Sequence, residues 1–225
     1  SYFPRCYLDD PKLNACVLQA FNEIRPHISN GIEEIGLPSL NPLVIKKLLM
    51  LQDTMMANYT LTASNYTIAG LYNYDIKEFQ YNLETMTFHF RIEFDTIPIT
   101  TFIEVNGHVV NIPVVGKGLV RTAYGPIDAT FEIEGSMSKF KSIDHYNPKN
   151  VKVDLNIGDG SYYLEGFFDN NEQLVRLTNE MLNANSVIVT KALTPLFEEL
   201  AEIGVMRFMK RLMKIPYYKL FPPSH

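Results

Sequence analysis

Catalysis needs a nucleophile with its base, a pair of carboxylates, or a bound metal. The five histidines, His27, His89, His108, His145 and His225, show no paired ligand spacing, and no His-Glu-x-x-His run occurs. Gly135-Ser136 lacks the flanking pattern of a nucleophile elbow. Gly116-Lys117-Gly118 is too short for a phosphate loop, because the run of glycines and the terminal Lys-Ser/Thr are missing. Glu33-Glu34 and Glu198-Glu199 are adjacent pairs, so on a helix the two carboxylates diverge and read as solvated surface. The expectation is a protein that is not an enzyme and holds neither a metal nor a cofactor.

Cys6 and Cys16 are the only cysteines, which excludes a disulfide-built scaffold and a cysteine-only zinc site. Their spacing suits one short covalent loop, worth roughly 2.7 kcal/mol in the chain-entropy model. The alternative is two free buried thiols in a cytosolic protein. The first residue is Ser1 rather than Met, as in a processed chain, and two glycan acceptor triplets occur, Asn58-Tyr59-Thr60 and Asn65-Tyr66-Thr67. Together these features point to a secreted protein, with Asn58 and Asn65 as glycosylation sites.

The elements that would position any site begin with composition. The chain has 225 residues, of which 46% are hydrophobic and 20% charged, enough apolar material for a sizeable core and too much for disorder. A net charge of −5 argues against a nucleic-acid binder. No apolar run approaches the ~20 residues that span a bilayer.

An N-terminal helix is expected over 10–30. Asp9-Asp10-Pro11 offers capping groups, and Leu13, Val17, Ala20, Phe21, Ile24 and Ile28 recur at helical spacing. Over 48–168 the period changes to two. Met86, Phe88, Phe90, Ile92 and Phe94 alternate with polar neighbours that include His89, as do Phe131 with Ile133, and Val151, Val153, Leu155 with Ile157. Asn106-Gly107, Gly125-Pro126, Asn147-Pro148 and Asp159-Gly160 are predicted turns in this antiparallel meander. Its apolar face needs a cover, and 172–214 supplies a long helical pattern whose break is predicted at Pro195. After Glu202 every charged residue is basic: Arg207, Lys210, Arg211, Lys214 and Lys219. A helix C-terminus favours cations, and a basic end also suits an anionic membrane or a receptor. No linker or repeat divides residues 1–225, which read as one elongated domain.

Cys6 and Cys16 around Asp9-Asp10, then Gly31-Ile32-Glu33-Glu34-Ile35-Gly36-Leu37-Pro38-Ser39-Leu40-Asn41-Pro42-Leu43, Ile112-Pro113-Val114-Val115-Gly116-Lys117-Gly118 and the closing Ile215-Pro216-Tyr217-Tyr218-Lys219-Leu220-Phe221-Pro222 resemble, in order and spacing, the insect takeout and juvenile hormone-binding proteins of the tubular lipid-binding superfamily. Glu33 and Asn41 depart from that family's proline and aspartate. Two cysteines cannot supply the second disulfide usual in juvenile hormone-binding proteins, which points to the takeout branch.

The resemblance implies an α+β fold: a strongly curved antiparallel sheet wrapped around a long C-terminal helix, with an N-terminal helix and an internal hydrophobic tunnel. It implies a secreted carrier of an elongated hydrophobic ligand, a terpenoid, carotenoid, fatty acid or similar lipid. Burial alone can hold such a molecule. Phe88, Phe90, Phe94, Phe131 and Ile133 are the expected lining from the sheet, and Val189, Leu193, Phe197 and Leu200 from the helix. Tyr72, Tyr124 and Thr101 are candidates for a headgroup. A signalling protein with a structural lipid and a receptor-binding surface is the competing reading.

Overall fold

The computed structural model describes residues 4–224. One helix, α1 (Leu13–Asn30), is followed by a 3-10 turn (Glu33–Ile35) and seven strands: β1 (Leu43–Asp53), β2 (Ala57–Ile68), β3 (Asp75–Asn82), β4 (Thr87–Phe94), β5 (Ile97–Val109), β6 (Ile112–Phe140) and β7 (Ile143–Glu165). A left-handed turn, α2 (Phe167–Asn170), leads into α3 (Glu172–Ala184), α4 (Ser186–Leu212) and the short α5 (Tyr217–Leu220).

α1 buries Leu13, Val17, Ile24 and Ile28, the spacing that predicted it, and keeps Pro26 inside its last turns. Its start falls at Leu13. Asp10 is not the cap: its Oδ1 accepts from the Lys12 amide at 2.8 Å in the turn before the helix. The Cys6–Cys16 disulfide, with Cα atoms 5.7 Å apart, ties that turn to the helix.

All seven strands form one antiparallel sheet with β6 as its spine. The first half of β6 pairs with β5, Val109 against Ile112 through Ile97 against Tyr124. Its next stretch pairs with β4, Phe94 against Ile127 through Thr87 against Glu134. β7 runs along the other edge of β6 from Glu165 to Ile143. One strand thus joins two subsheets, and the apolar face divides into two cores. One lies over β1, β2, β5 and the start of β6, the other over β3, β4 and its end.

The sheet begins earlier and ends sooner than expected, at Leu43 and Glu165. None of the four predicted turns is a turn; each lies inside a strand. Chain reversal falls instead on Val110-Asn111 and Lys141-Ser142, two-residue loops with both residues at positive φ. Local turn chemistry is a weaker constraint here than the pairing of long strands. The glycines serve a different end. A Cβ on Gly107 would run into the backbone of Tyr59, and one on Gly118 into the carbonyl of Glu165, so both permit close strand approach.

The sheet does not close into a barrel, so the amides on the free edge of β7 need partners. The helices supply them. Val153 N donates to Glu202 Oε1 at 3.1 Å and Leu155 N to Glu198 Oε2 at 2.9 Å. Leu164 N donates to Asn179 Oδ1 at 2.8 Å and Tyr162 N to Asn183 Oδ1 at 2.9 Å. Glu198, expected on solvated surface, is therefore part of the seam between helix and sheet. The expected single helix over 172–214 is divided at Asn185 rather than at Pro195, which α4 holds in its interior. Asn185 N bonds to the Met181 carbonyl at 3.2 Å and Val189 N to the Asn185 carbonyl at 2.9 Å, so Asn185 ends one helix and begins the next.

Candidate functional site

Within the first core, α4 does not fill the concavity of the sheet. A cavity of about 130 Å³ remains between β1, β2, β5, β6 and β7 on one side and α3 and α4 on the other. Its walls are Met50, Leu61, Ile99, Ile103, Val105, Val109, Val114, Val120 and Leu164 from the sheet, and Leu182, Leu193, Leu196 and Phe197 from the helices. β5 supplies the most regular wall, since Ile99, Thr101, Ile103 and Val105 alternate buried with exposed neighbours.

The polar groups of the lining are hydroxyls and one imidazole: Tyr59, Tyr66, Thr101, His108, Thr122, Tyr124 and Tyr162. Most are held by the protein. Tyr59 OH donates to Gln52 Oε1 at 2.6 Å, and Gln52 Nε2 donates to the Ala192 carbonyl at 2.8 Å, binding β1 and β2 to α4. Thr101 Oγ1 donates to the Ser64 carbonyl at 3.0 Å. Tyr162 and Thr190 share a hydrogen bond of 2.7 Å.

Tyr66 is different. It is 6% exposed, and burial alone pushes its phenol far above the usual tyrosine range, with no hydrogen-bonding group contributing. Burial, reinforced by Tyr162, does the same to Tyr124. These phenols are neutral at any physiological pH and act only as hydrogen-bond donors and acceptors. No Lys, Arg, Asp or Glu is among the lining residues. The site can bury apolar surface and satisfy a neutral oxygen function. Among the described residues, no cluster of His, Cys, Asp and Glu side chains could hold a metal ion.

The cavity brings together Leu193 and Phe197 of the expected helix residues, with Tyr124 and Thr101 of the headgroup candidates. Tyr72 lies outside it, at the surface. Val189 is fully buried in the surrounding core, with Phe94, Phe131 and Leu200 packed against that core. Phe88, Phe90 and Ile133 belong to the second core. There Phe88 stacks on Tyr81 with ring centroids 4.2 Å apart and lies 4.9 Å from Tyr146 and 6.1 Å from Phe221. Tyr81 and Tyr217 share a hydroxyl hydrogen bond of 2.8 Å, so C-terminal residues plug that half of the molecule.

A family model described as haemolymph juvenile hormone binding protein matches residues 1–222. The chain belongs to this family. The crystal structure of Takeout 1 from Epiphyas postvittana superposes on it with a TM-score of 0.79 at 19% identity, covering 97% of this chain and 99% of that one. At that identity the likeness establishes the fold. No curated protein matches the chain by sequence. Takeout 1 thus shares the open, curved sheet with its N-terminal and long C-terminal helices, and the haemolymph juvenile hormone binding family is one of binding proteins.

What sequence reasoning missed is the contribution of β2, β5 and the start of β6. The alternation over Ile97–Val109 was available as a signal. Gln52, Tyr59 and Tyr66 carried none, since a glutamine and two tyrosines on alternating strands look the same whether they face water or a cavity.

Proposed function

We propose that this chain is a secreted carrier that holds one elongated, uncharged lipophile between the sheet and α4. The observation that carries the reading is the cavity wall: twenty residues, all apolar or uncharged polar apart from the imidazole of His108. Each Å² of ligand hydrocarbon removed from water contributes about 25 cal/mol, so a long chain binds without ionic anchors. No Lys or Arg among the lining residues would pair with a carboxylate buried there, and an unpaired buried charge costs several kcal/mol. Within the classes expected from the sequence, terpenoids, carotenoids and esterified or reduced lipids are therefore favoured over ionised fatty acids. Tyr66 supplies a hydroxyl for one ether, carbonyl or alcohol oxygen.

As packed, the cavity is close in size to one of roughly 150 Å³ that holds a single benzene. A longer ligand enters by displacing side chains. Met50 moves at low cost because a thioether repacks easily, and Leu193 and Phe197 are only partly buried against the core. Phe94, Phe131 and Leu200, half-buried against the same core, extend the path. The Cys6–Cys16 disulfide and the family's haemolymph description support secretion.

Organic extraction of protein purified from its native fluid, followed by mass spectrometry and an absorbance spectrum, tests the reading. A stoichiometric neutral lipophile is expected. In displacement of an apolar fluorescent probe at neutral pH, a long-chain methyl ester should outcompete the corresponding carboxylate. An interior that admits no apolar probe, or a carboxylate that binds more tightly than its ester, refutes it.

A further inference from the structure

The half of the molecule remote from the cavity carries a basic, partly apolar projection that ligand carriage does not require. Beyond Ser136 the β6–β7 hairpin leaves the body of the sheet as a two-stranded ribbon, and residues 137–144 are all exposed. Phe140 and Ile143 face each other across its turn, 64% and 40% exposed, with Met137 at 39%. Lys139 and Lys141 flank Phe140, and Lys141 Nζ lies 5.5 Å from the ring centroid.

The ribbon is anchored to the end of α4. The Phe140 ring packs edge-on against His145 at 6.2 Å, and His145 Nδ1 lies 3.1 Å from the Met213 carbonyl oxygen. The last turns of α4 and the segment after it bring Arg207, Lys210, Arg211, Lys214 and Lys219 to the same end of the fold. Seven of the chain's 20 lysines and arginines are thus gathered there, in a protein whose net charge is −5. Asp144, opposite Lys139, is the acidic residue of the ribbon. The macrodipole of α4 accounts for cations on its last turn. It does not account for two lysines on a strand turn with an exposed phenylalanine between them.

We propose that this end docks on an anionic phospholipid surface, ribbon first. Phe140 and Ile143 enter the headgroup layer, and the surrounding lysines and arginines meet lipid phosphates and carboxylates. Apolar side chains ringed by cations are the chemistry of interfacial anchors. Charge complementarity selects an acidic membrane over a neutral one, since each cation near such a surface raises affinity about fivefold. The cavity lies at the other half of the sheet, so the docked protein keeps its site free, and docking is independent of which ligand is bound.

Flotation with phosphatidylcholine vesicles, with and without phosphatidylserine, tests this. Binding is expected with phosphatidylserine, falling as salt rises, and little without it. K139Q/K141Q should bind roughly 30-fold more weakly, F140S should also lose affinity, and both should unfold at the wild-type temperature. Should a ribbon variant unfold early, K210Q/K214Q gives the same measurement from the helix side. No binding, equal binding to both vesicles, or full binding by the lysine variants overturns the proposal. Retention on heparin without vesicle binding would assign this end to an acidic macromolecule and overturn it too.

Discussion

Replacing Phe88 by alanine separates the two halves of the apolar interior. Phe88 is 3% exposed and touches the rings of Tyr81, Tyr146, Phe79 and Phe221, which close the second core around the C-terminal segment. Truncating a buried phenylalanine costs about 3–5 kcal/mol, of which aromatic pairing contributes about 0.5–1.5 kcal/mol per well-placed pair. Taking about 4 kcal/mol, and about 2–4 °C per kcal/mol at this chain length, F88A should lower the melting temperature by roughly 8–16 °C. F88L keeps most of the volume and should lose less than half as much. F197A, from the cavity wall, should do the reverse: a modest loss of stability and a changed affinity for an apolar probe. Guanidinium unfolding followed by circular dichroism suits a chain without tryptophan, with probe titration on the folded variants. A loss below about 1 kcal/mol for F88A, or a change in probe affinity for F88A matching that of F197A, refutes the division into a plugged core and a cavity.

Four further outcomes are expected. Y66F should weaken binding of an ester or alcohol about 2–12-fold while leaving a pure hydrocarbon unaffected, as titration with both ligand types would show. Burial raises the phenols of Tyr59, Tyr66, Tyr81, Tyr124 and Tyr146 above 10.0. The unfolded chain therefore releases protons first, and stability should hold up to pH ~10 and fall above it, with phenolate absorbance rising only on unfolding. C6A/C16A should lower stability by roughly 2.7 kcal/mol, and thiol titration of the denatured, unreduced wild type should find no free thiol. Asn58 and Asn65 are exposed on β2, so protein from a secreting host should lose mass on treatment with an N-glycosidase, and N58Q/N65Q should not.

How far each feature was legible follows from whether its cause is local. The helix over Leu13–Asn30 and the alternation in β4 and β7 were readable, because burial on one face imprints its period on the sequence. The turns were not. Asn106-Gly107 carries the strongest hairpin chemistry in the chain and yet sits within β5, because strands of up to 29 residues pair across it and Tyr59 needs the space a side chain would fill. The break at Asn185 likewise escaped a search for prolines, since Pro195 is accommodated where Asn185 is not helical.

The sequence by itself determined the class of molecule. Two cysteines, an apolar sheet face with one long helical cover, and the ordered motifs of its family exclude most alternatives without coordinates. Tertiary structure decided which part of that apolar face is hollow. Phe88 and Leu193 are equally apolar and equally periodic. The C-terminal aromatics fold back onto Phe88, whereas no side chain among the described residues fills the space before Leu193. That difference lies in the packing of residues far apart in the chain, and periodicity, which reports only which face is buried, is blind to it.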